Sequence, residues 1–202
     1  MNNLESWELA GHTLEYLDDI HQYLVDGEMV SSITQMLKMR FGNKYAGIDA
    51  LTLQRASERG TEIHRAIELY CKTVVDKEIK EVHNFKFLKK QYAFNVLANE
   101  LPVILFDENG EALSAGRLDM VLSMADQRGL ADIKTTSTLD KEYLGLQLNL
   151  YRIAYIQTYG HRVDFLRGIH LREDVRKFVD IPVNEKYAWE FINEWREQNG
   201  NI

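Results

Sequence analysis

The sequence predicts an α/β (α+β) fold with a central mixed β-sheet flanked by helices. Residues 102–108, 112–124 and 129–136 have the apolar patterns of β-strands, and turn-forming residues separate them. Residues of about 48–75 and 141–160 carry apolar side chains at helical spacing on either side of these strands. Only 12 Gly and 2 Pro occur in 202 residues, which excludes collagen-like and disordered classes.

Length and composition favour one domain over residues 1–202, with a hairpin and a helix within 1–45. Cys71 is the only cysteine, which excludes an internal disulfide, an iron–sulfur cluster and a thiolate zinc site. The start, MNNLESWELAG, lacks a basic and apolar leader, and no apolar run reaches the roughly 18 residues that span a bilayer. We therefore expect a cytoplasmic protein without a membrane partner.

The first half of the chain predicts a hairpin followed by helices. Asp26-Gly27 tolerates the positive φ of a tight turn and joins the strand-like runs 21–25 and 28–32. Ser32 and Gln35 match a capping box, which predicts that a helix begins there. The helix of about 48–75 carries His64, and residues 84–100 predict a further helix that ends before Pro102.

The second half predicts a meander-like sheet core, a helix, two strands and a last helix. The three strands named above form the meander, and the helix of 141–160 stops at Gly160. Residues 163–172 and 177–183 follow as strands. Asn184 is a helix cap, so we expect the last helix over 185–198.

Acidic residues within two predicted strands suggest a metal site. Strand alternation places Asp132 and Lys134 on one face, and Arg117, Asp119 and Val121 share a face of the preceding strand. An antiparallel pairing brings Asp119 beside Asp132 if the register allows it. Mg²⁺ or Mn²⁺ would relieve the repulsion of two carboxylates, and a nearby lysine can orient or help deprotonate water. Alone, an Asp-x-Lys tripeptide is more often an exposed one whose charges face water.

Two further pairs of polar residues lie one helical turn apart. His64 and Glu68 share a helix face, so His64 either reaches a metal or forms a surface pair with Glu68. Gln147 and Tyr151 either contact a phosphate or an unstacked base, or belong to a half-buried helix face. Neither pair indicates a function by itself.

The order of these motifs resembles that of the PD-(D/E)XK nucleases, in the RecB-like branch that includes stand-alone phage-type exonucleases. The resemblance covers about residues 60–155, and 58–172 is the catalytic core that it implies. The chain departs from one branch of the family because it lacks the iron–sulfur cysteines, and no helicase motif accompanies the core. The matching motifs are Gly60-x-x-x-His64, Gly116-x-x-Asp119, Asp132-x-Lys134 and Gln147-x-x-x-Tyr151.

The family's residue roles transfer to these positions. The resemblance implies a restriction-endonuclease-like core in which Asp119, Asp132 and Lys134 are catalytic. It implies that His64, Asp119, Asp132 and the backbone carbonyl of Ile133 bind Mg²⁺ or Mn²⁺. Gln147 and Tyr151 would support the active site and contact DNA, and Glu100 is either an additional acid of the site or a solvated helix end.

The activity that the resemblance implies is metal-dependent exonuclease cleavage of DNA in phage-type recombination or repair. The implied partners are DNA with free ends and a single-strand annealing or recombination protein, in the host cytoplasm if a phage encodes the chain. An oligomer is compatible with the same motifs. The alternatives are a non-catalytic DNA-binding or recombination module on the same fold and a structure-specific endonuclease. The net charge of −7 argues against a polyanion partner, although the metal ligands contribute part of it.

Overall fold

The structure is a computed structural model that describes residues 4–42, 47–73, 75 and 78–199. The residues outside this description are 1–3, 43–46, 74, 76, 77 and 200–202. The ends of the predicted ranges 1–45 and 1–202 are among them. The strands are β1 (Leu4–Leu9), β2 (His12–Leu17), β3 (Gln22–Val25), β4 (Glu28–Ser32), β5 (Phe94–Phe106), β6 (Ala112–Met124), β7 (Gln127–Lys134), β8 (Phe165–Leu171) and β9 (Arg176–Ile181). The helices are α1 (Ile33–Phe41), α2 (Ala50–Thr73), α3 (Lys80–Gln91), α4 (Lys141–Tyr159) and α5 (Glu185–Asn199), with a 3₁₀ turn at Asp18–Ile20.

One mixed sheet runs through the described part of the chain. Its strands follow the order β1-β2-β3-β4-β6-β7-β8-β9, and β5 pairs with β6. The β4–β6 and β7–β8 pairs are parallel, and the remaining pairs are antiparallel. The predicted α/β class, with a central mixed sheet flanked by helices, is confirmed.

Strand β6 pairs with three other strands, and its two edges differ in how completely they are paired. Strand β5 pairs with one edge from Phe94–Met124 to Phe106–Ala112. On the other edge, β4 pairs with Ser114 and Ala115, and β7 pairs from Met120 onward. Among the described strands, none pairs with this second edge between Ala115 and Met120. The sheet is therefore open at the residues that lead to Asp119.

The sheet separates two large apolar clusters. Helices α1, α4 and α5 pack on one face, with Leu37, Leu150 and Phe191 fully buried. Helices α2 and α3 cover the other face, where Ile67 and Phe85 are fully buried. A smaller cluster lies beneath the N-terminal strands. Since both faces of the central strands are covered, polar groups there need a partner or a function.

Most of the predicted elements are confirmed at their expected positions. The Asp26-Gly27 hairpin forms with φ of 52° and 85°, and the Ser32–Gln35 capping box is complete. Helix α4 ends at Gly160 with φ of 68°, and Asn184 caps the last helix through the Tyr187 N–H. Local chemistry determines each of these features, which explains why they are readable from the sequence.

The helix predicted over 84–100 is wrong in its second half. Helix α3 ends at Gln91, and Phe94 begins the long strand β5. Apolar side chains at 94, 96 and 98 fit a helix or a strand, and pairing with β6 selects the strand. Strands β1 and β2 were not predicted, because the mostly exposed residues of β1 and the mostly half-buried residues of β2 give a weak apolar pattern.

The helices in the described ranges include none that is both long enough and apolar enough to cross a bilayer.

Gly129 is expected to be intolerant of a side chain. A Cβ at Gly129 would lie 2.1 Å from Phe165 Cε2, so Gly129→Ala should destabilise the protein by about 1–3 kcal/mol in urea unfolding. Gly145→Ala is the matched control, because nothing lies within 4 Å of its Cβ and alanine favours the helix. Equal stabilities of the two variants would contradict this packing.

Candidate metal centre

Asp119 and Asp132 meet where strands β6 and β7 separate. Met120 pairs with Ala131, and the same register places Asp119 opposite Asp132 one position further along. The ladder ends there, and the Ile133 N–H instead donates a hydrogen bond of 2.7 Å to Asp119 Oδ2. The register therefore leads the two acids onto neighbouring positions of β6 and β7, although the ladder ends before they pair.

Glu100 approaches Asp119 from the opposite edge of β6. Leu101–Leu118 and Asn99–Met120 are paired, so Glu100 and Asp119 face each other between them. Glu100 has a φ of 49°, a conformation that costs a residue with a side chain about 1–2 kcal/mol. Such strain is typical of functional positions and here brings the two carboxylates together.

This irregularity corrects the predicted faces of β6. Simple alternation predicted that Arg117, Asp119 and Val121 lie on one face of the strand. Leu118, Met120 and Leu122 were expected on the other face. Instead, Leu118 and Val121 pack in the same core cluster, and Met120 packs on the other side of the sheet. The alternation reverses at Asp119 because the strand pair is irregular there.

His64 reaches the two acids from helix α2. Buried Ile63 and Ile67 fix this helix against the sheet, which directs His64 toward the end of β7. Its Nε2 lies 3.2 Å from the Ile133 carbonyl oxygen, and its Nδ1 lies 3.7 Å from Asp119 Oδ2. Since a carbonyl only accepts, the hydrogen bond assigns the proton to Nε2 and leaves the Nδ1 lone pair facing the carboxylate.

His64, Glu100 and Asp119 form a group whose donor atoms lie within 4.8 Å of one another. Burial and the charge of Asp119 raise the pKa of Glu100 to about 7, so the metal-free cluster resists full ionisation. Two carboxylates and an imidazole nitrogen, with a backbone carbonyl nearby, are ligands that suit Mn²⁺ and Mg²⁺. Adjacent ligands of an octahedral ion, each about 2.1 Å from it, lie about 3 Å apart. The 3.7 Å between His64 Nδ1 and Asp119 Oδ2 is somewhat wider than this spacing.

Asp132, Lys134 and Gln147 form a second polar group beside this cluster. Lys134 Nζ lies 3.0 Å from Asp132 Oδ1 and 2.9 Å from Gln147 Oε1, and it donates a hydrogen bond to each. The same nitrogen is 2.8 Å from Asp132 Oδ2, but that buried oxygen has no hydrogen bond among the described residues. Burial raises the pKa of Asp132 to about 6, against the opposing charge of Lys134. Asp132 is therefore paired with the Lys134 ammonium through both of its oxygens.

The predicted site residues therefore assemble in two adjacent groups. His64, Asp119 and Glu100 form one group. The sequence had left Glu100 as either an acid of the site or a solvated helix end. The Ile133 carbonyl lies next to His64. Asp132 lies outside this three-residue group and pairs with Lys134. The alternative pairing of His64 with Glu68 is not observed, because the Glu68 carboxylate accepts a hydrogen bond from Lys72.

Gln147 and Tyr151 both face the protein interior from helix α4. Gln147 is 6% exposed and holds Lys134 through its amide oxygen. Tyr151 is also 6% exposed, and its ring occupies the space that the missing side chain of Gly116 leaves. This contact gives a physical reason for glycine at 116, since a Cβ there would lie 3.0 Å from Tyr151.

Comparison with known proteins finds a structural resemblance without a family match. No protein-family model and no curated protein matches the chain. The crystal structure of SSO0001 is similar, with 13% sequence identity, a TM-score of 0.49, and coverage of 84% of this chain and 76% of that one. Neither this degree of similarity nor that name indicates a function.

The free energy of unfolding of the metal-free protein should fall as the pH rises from about 4.5 to 7. Glu100 has a pKa of about 7 in the folded state and 4.5 as its ordinary value, so the folded state binds the proton more tightly. Glu100→Gln removes this contribution and should add roughly 1–3 kcal/mol of stability at pH 8 in EDTA. Urea unfolding at pH 5 and pH 8 measures it.

Glu62→Gln is the control, because this carboxylate forms an exposed ion pair with Arg59. If Glu100→Gln showed the same loss of stability between pH 5 and 8 as the wild type, Glu100 would not be the group that titrates.

Proposed function

We propose that this chain is a metal-dependent deoxyribonuclease that hydrolyses phosphodiester bonds, with exonuclease action on linear DNA. The observation that carries this proposal is the juxtaposition of a His64, Glu100 and Asp119 cluster with the Asp132–Lys134 pair. Both groups lie where the sheet opens beside β6. The proposal includes the restriction-endonuclease-like assignment of the core and a role in phage-type recombination or repair in a host cytoplasm.

The residues that would hold Mg²⁺ or Mn²⁺ are His64, Glu100, Asp119 and Asp132, with the Ile133 carbonyl. The facing lone pairs of His64 Nδ1 and Asp119 Oδ2, which lie 3.7 Å apart, support this assignment. When bound, the ion supplies Lewis-acid activation of water and neutralises charge on the phosphoryl oxygens. Oxygen ligands predominate in this set, which favours Mg²⁺ or Mn²⁺ over softer metals.

Lys134 acts as a donor in this proposal and not as a base. Burial lowers the pKa of Lys134, but the carboxylates of Asp132 and Asp119 outweigh that effect, so its pKa is raised. Two of its three N–H groups are directed to Asp132 and Gln147. The third can orient the attacking water or stabilise a phosphoryl oxygen as negative charge develops.

Gln147 is a positioning residue for Lys134. Its buried amide oxygen accepts from Nζ at 2.9 Å, and helix α4 fixes the amide because its neighbours Leu146 and Leu148 are buried in the core. An ammonium held at two points retains little rotational freedom, which preorganises its remaining donor. The side chain therefore serves the site through the lysine.

The first prediction of this proposal concerns the two charged side chains. Asp119→Asn and Lys134→Met should each lower the rate of linear-DNA digestion in Mg²⁺ or Mn²⁺ by about 10²–10⁴-fold, because each removes a charge near the reacting phosphate. Loss of end-labelled duplex and single-stranded DNA measures the rate, and EDTA should abolish it. Lys177→Met is the matched control, since Lys177 is an exposed residue of β9.

Asp119→Asn keeps an oxygen that can accept the Ile133 N–H, so this variant tests the chemistry even if Lys134→Met unfolds. Wild-type rates in both folded variants would exclude the proposed site. A covalently closed circle tests the mode of action, because its cleavage would indicate an endonuclease. DNA binding without turnover across the metal series would indicate a non-catalytic module.

A further inference from the structure

Exposed aromatic and basic side chains meet where the end of helix α3 packs against strand β9. Phe87 is 46% exposed and Tyr92 is 38% exposed, so both rings present much of their area to solvent. A single exposed ring is common on soluble proteins, whereas a contiguous group of them is typical of an interaction site. We call this region the α3–β9 surface, and its residues are Phe87, Lys90, Tyr92, Arg176 and Phe178.

Strand β9 joins the two exposed rings into one surface. Arg176 and Phe178 are two residues apart on this strand, so their side chains lie on the same face, about 7 Å apart. Arg176 Cζ lies 3.8 Å from the centre of the Phe87 ring. The ring centres of Phe178 and Tyr92 are 4.6 Å apart. Phe87 and Tyr92 are therefore connected through Arg176 and Phe178.

The cations of the α3–β9 surface are not neutralised by acidic side chains. Lys90 and Arg176 are both exposed, and neither forms an ion pair with any residue that the structure describes. The acids of β9 and of the turn before it pair with other cations, namely Glu173 with Lys80, Asp174 with Arg172 and Asp180 with Arg167. The surface therefore carries positive charge on a chain whose net charge is −7.

The stability of helix α3 explains only part of this charge. Lys90 lies in the last turn of the helix, where a cation interacts favourably with the helix dipole. Arg176 belongs to a different element, and its guanidinium lies over a ring that is itself exposed. A guanidinium in this position still has several N–H groups that can donate to a phosphate.

Exposed rings beside cations without acidic partners suit a single-stranded nucleic acid. Its unpaired bases stack on aromatic side chains, and its phosphates are contacted by Lys and Arg. The bases of a duplex are already stacked on one another, so they gain little from flat rings on a protein surface. An acidic peptide would use the two cations but would not require two exposed rings.

The α3–β9 surface begins at the same end of the sheet as the metal centre. Lys134 of β7 pairs with His170 of β8, and His170 pairs with Lys177 of β9. Neighbouring strands are about 4.8 Å apart, so the backbone next to Arg176 lies about 10 Å from that of Lys134. A DNA strand at the metal centre therefore has only a short distance to span before it reaches Arg176 and Phe87.

We infer that the α3–β9 surface binds single-stranded DNA at a second site outside the metal centre. The bases stack on Phe87 and Tyr92, and Lys90 and Arg176 contact the phosphates. This binding requires neither a metal ion nor cleavage. The choice of DNA, and a role in holding a strand during digestion, rest on the proposed nuclease function.

The test measures the binding of a single strand without cleavage. Fluorescence anisotropy in EDTA compares a labelled DNA strand of about 16 nucleotides with its duplex and with RNA of the same sequence. The DNA strand should bind more tightly than the duplex. Phe87→Ala and Tyr92→Ala should each weaken binding of the strand by about 5- to 100-fold, the effect of losing one stacked base.

The salt dependence of binding tests the role of charge. Arg176→Gln should weaken binding and reduce the slope of log affinity against log salt concentration by about 0.7, because one phosphate contact is lost. Lys177→Gln is the matched control, since it removes the same charge from the next residue, whose side chain points to the other face of β9. This control should keep the affinity of the wild type.

Wild-type affinity in folded Phe87→Ala and Arg176→Gln would overturn the inference, as would equal effects of Arg176→Gln and Lys177→Gln. If Phe87→Ala does not fold, Arg176→Gln decides. Loss of affinity in Lys134→Met but not in Arg176→Gln would locate the strand at the metal centre and also reject the second site. Tighter binding of the duplex or of RNA would reject single-stranded DNA as the ligand.

The same experiment separates the second site from the nuclease function. Strand binding that depends on Phe87 and Arg176, without any cleavage in Mg²⁺ or Mn²⁺, would support the α3–β9 surface and reject the nuclease function. Metal-dependent cleavage by a protein whose Phe87→Ala and Arg176→Gln variants bind the strand normally would do the reverse.

Discussion

The pairing of strand β6 is the constraint on which the rest of the structure depends. One edge is paired with β5 along its length, and the other is shared by β4 and β7. The gap between those two partners leaves backbone groups of β6 without a strand partner on that edge, in the middle of the sheet. Such a gap is unfavourable in a structural strand, because buried backbone groups need partners. Here the Asp119 carboxylate accepts the Ile133 N–H at one end of the gap.

Electrostatic repulsion is concentrated at this opening. Burial raises the pKa values of Glu100 and Asp132, and the strained backbone of Glu100 holds its carboxylate near that of Asp119. A fold selected for stability alone would gain from apolar residues at these positions. Lys134 pairs directly with Asp132, whereas no lysine or arginine among the described residues forms an ion pair with Glu100 or Asp119. The arrangement is consistent with a site that binds a cation.

Local signals in the sequence were sufficient for much of the fold. The turn at Asp26-Gly27, the capping box at Ser32 and the C-cap at Gly160 each depend on neighbouring residues only. Local signals were not sufficient for strand β5, because its first residues fit a helix or a strand equally well. Only their pairing with β6 selects the strand. The acids at 119 and 132 were identified from strand alternation, but their proximity required a register that alternation cannot supply.

The sequence by itself determined the fold class, most helices and strands, and the residue types that could bind a metal. Tertiary structure decided how those residues are grouped. Glu100 joins His64 and Asp119 because its left-handed backbone reverses the faces of its strand, whereas Asp132 pairs with Lys134, which also donates to Gln147 of α4. Contacts of this kind join residues far apart in the chain, and their free energies depend on burial and orientation. A linear pattern encodes neither, so the α3–β9 surface became visible only when the chain was folded.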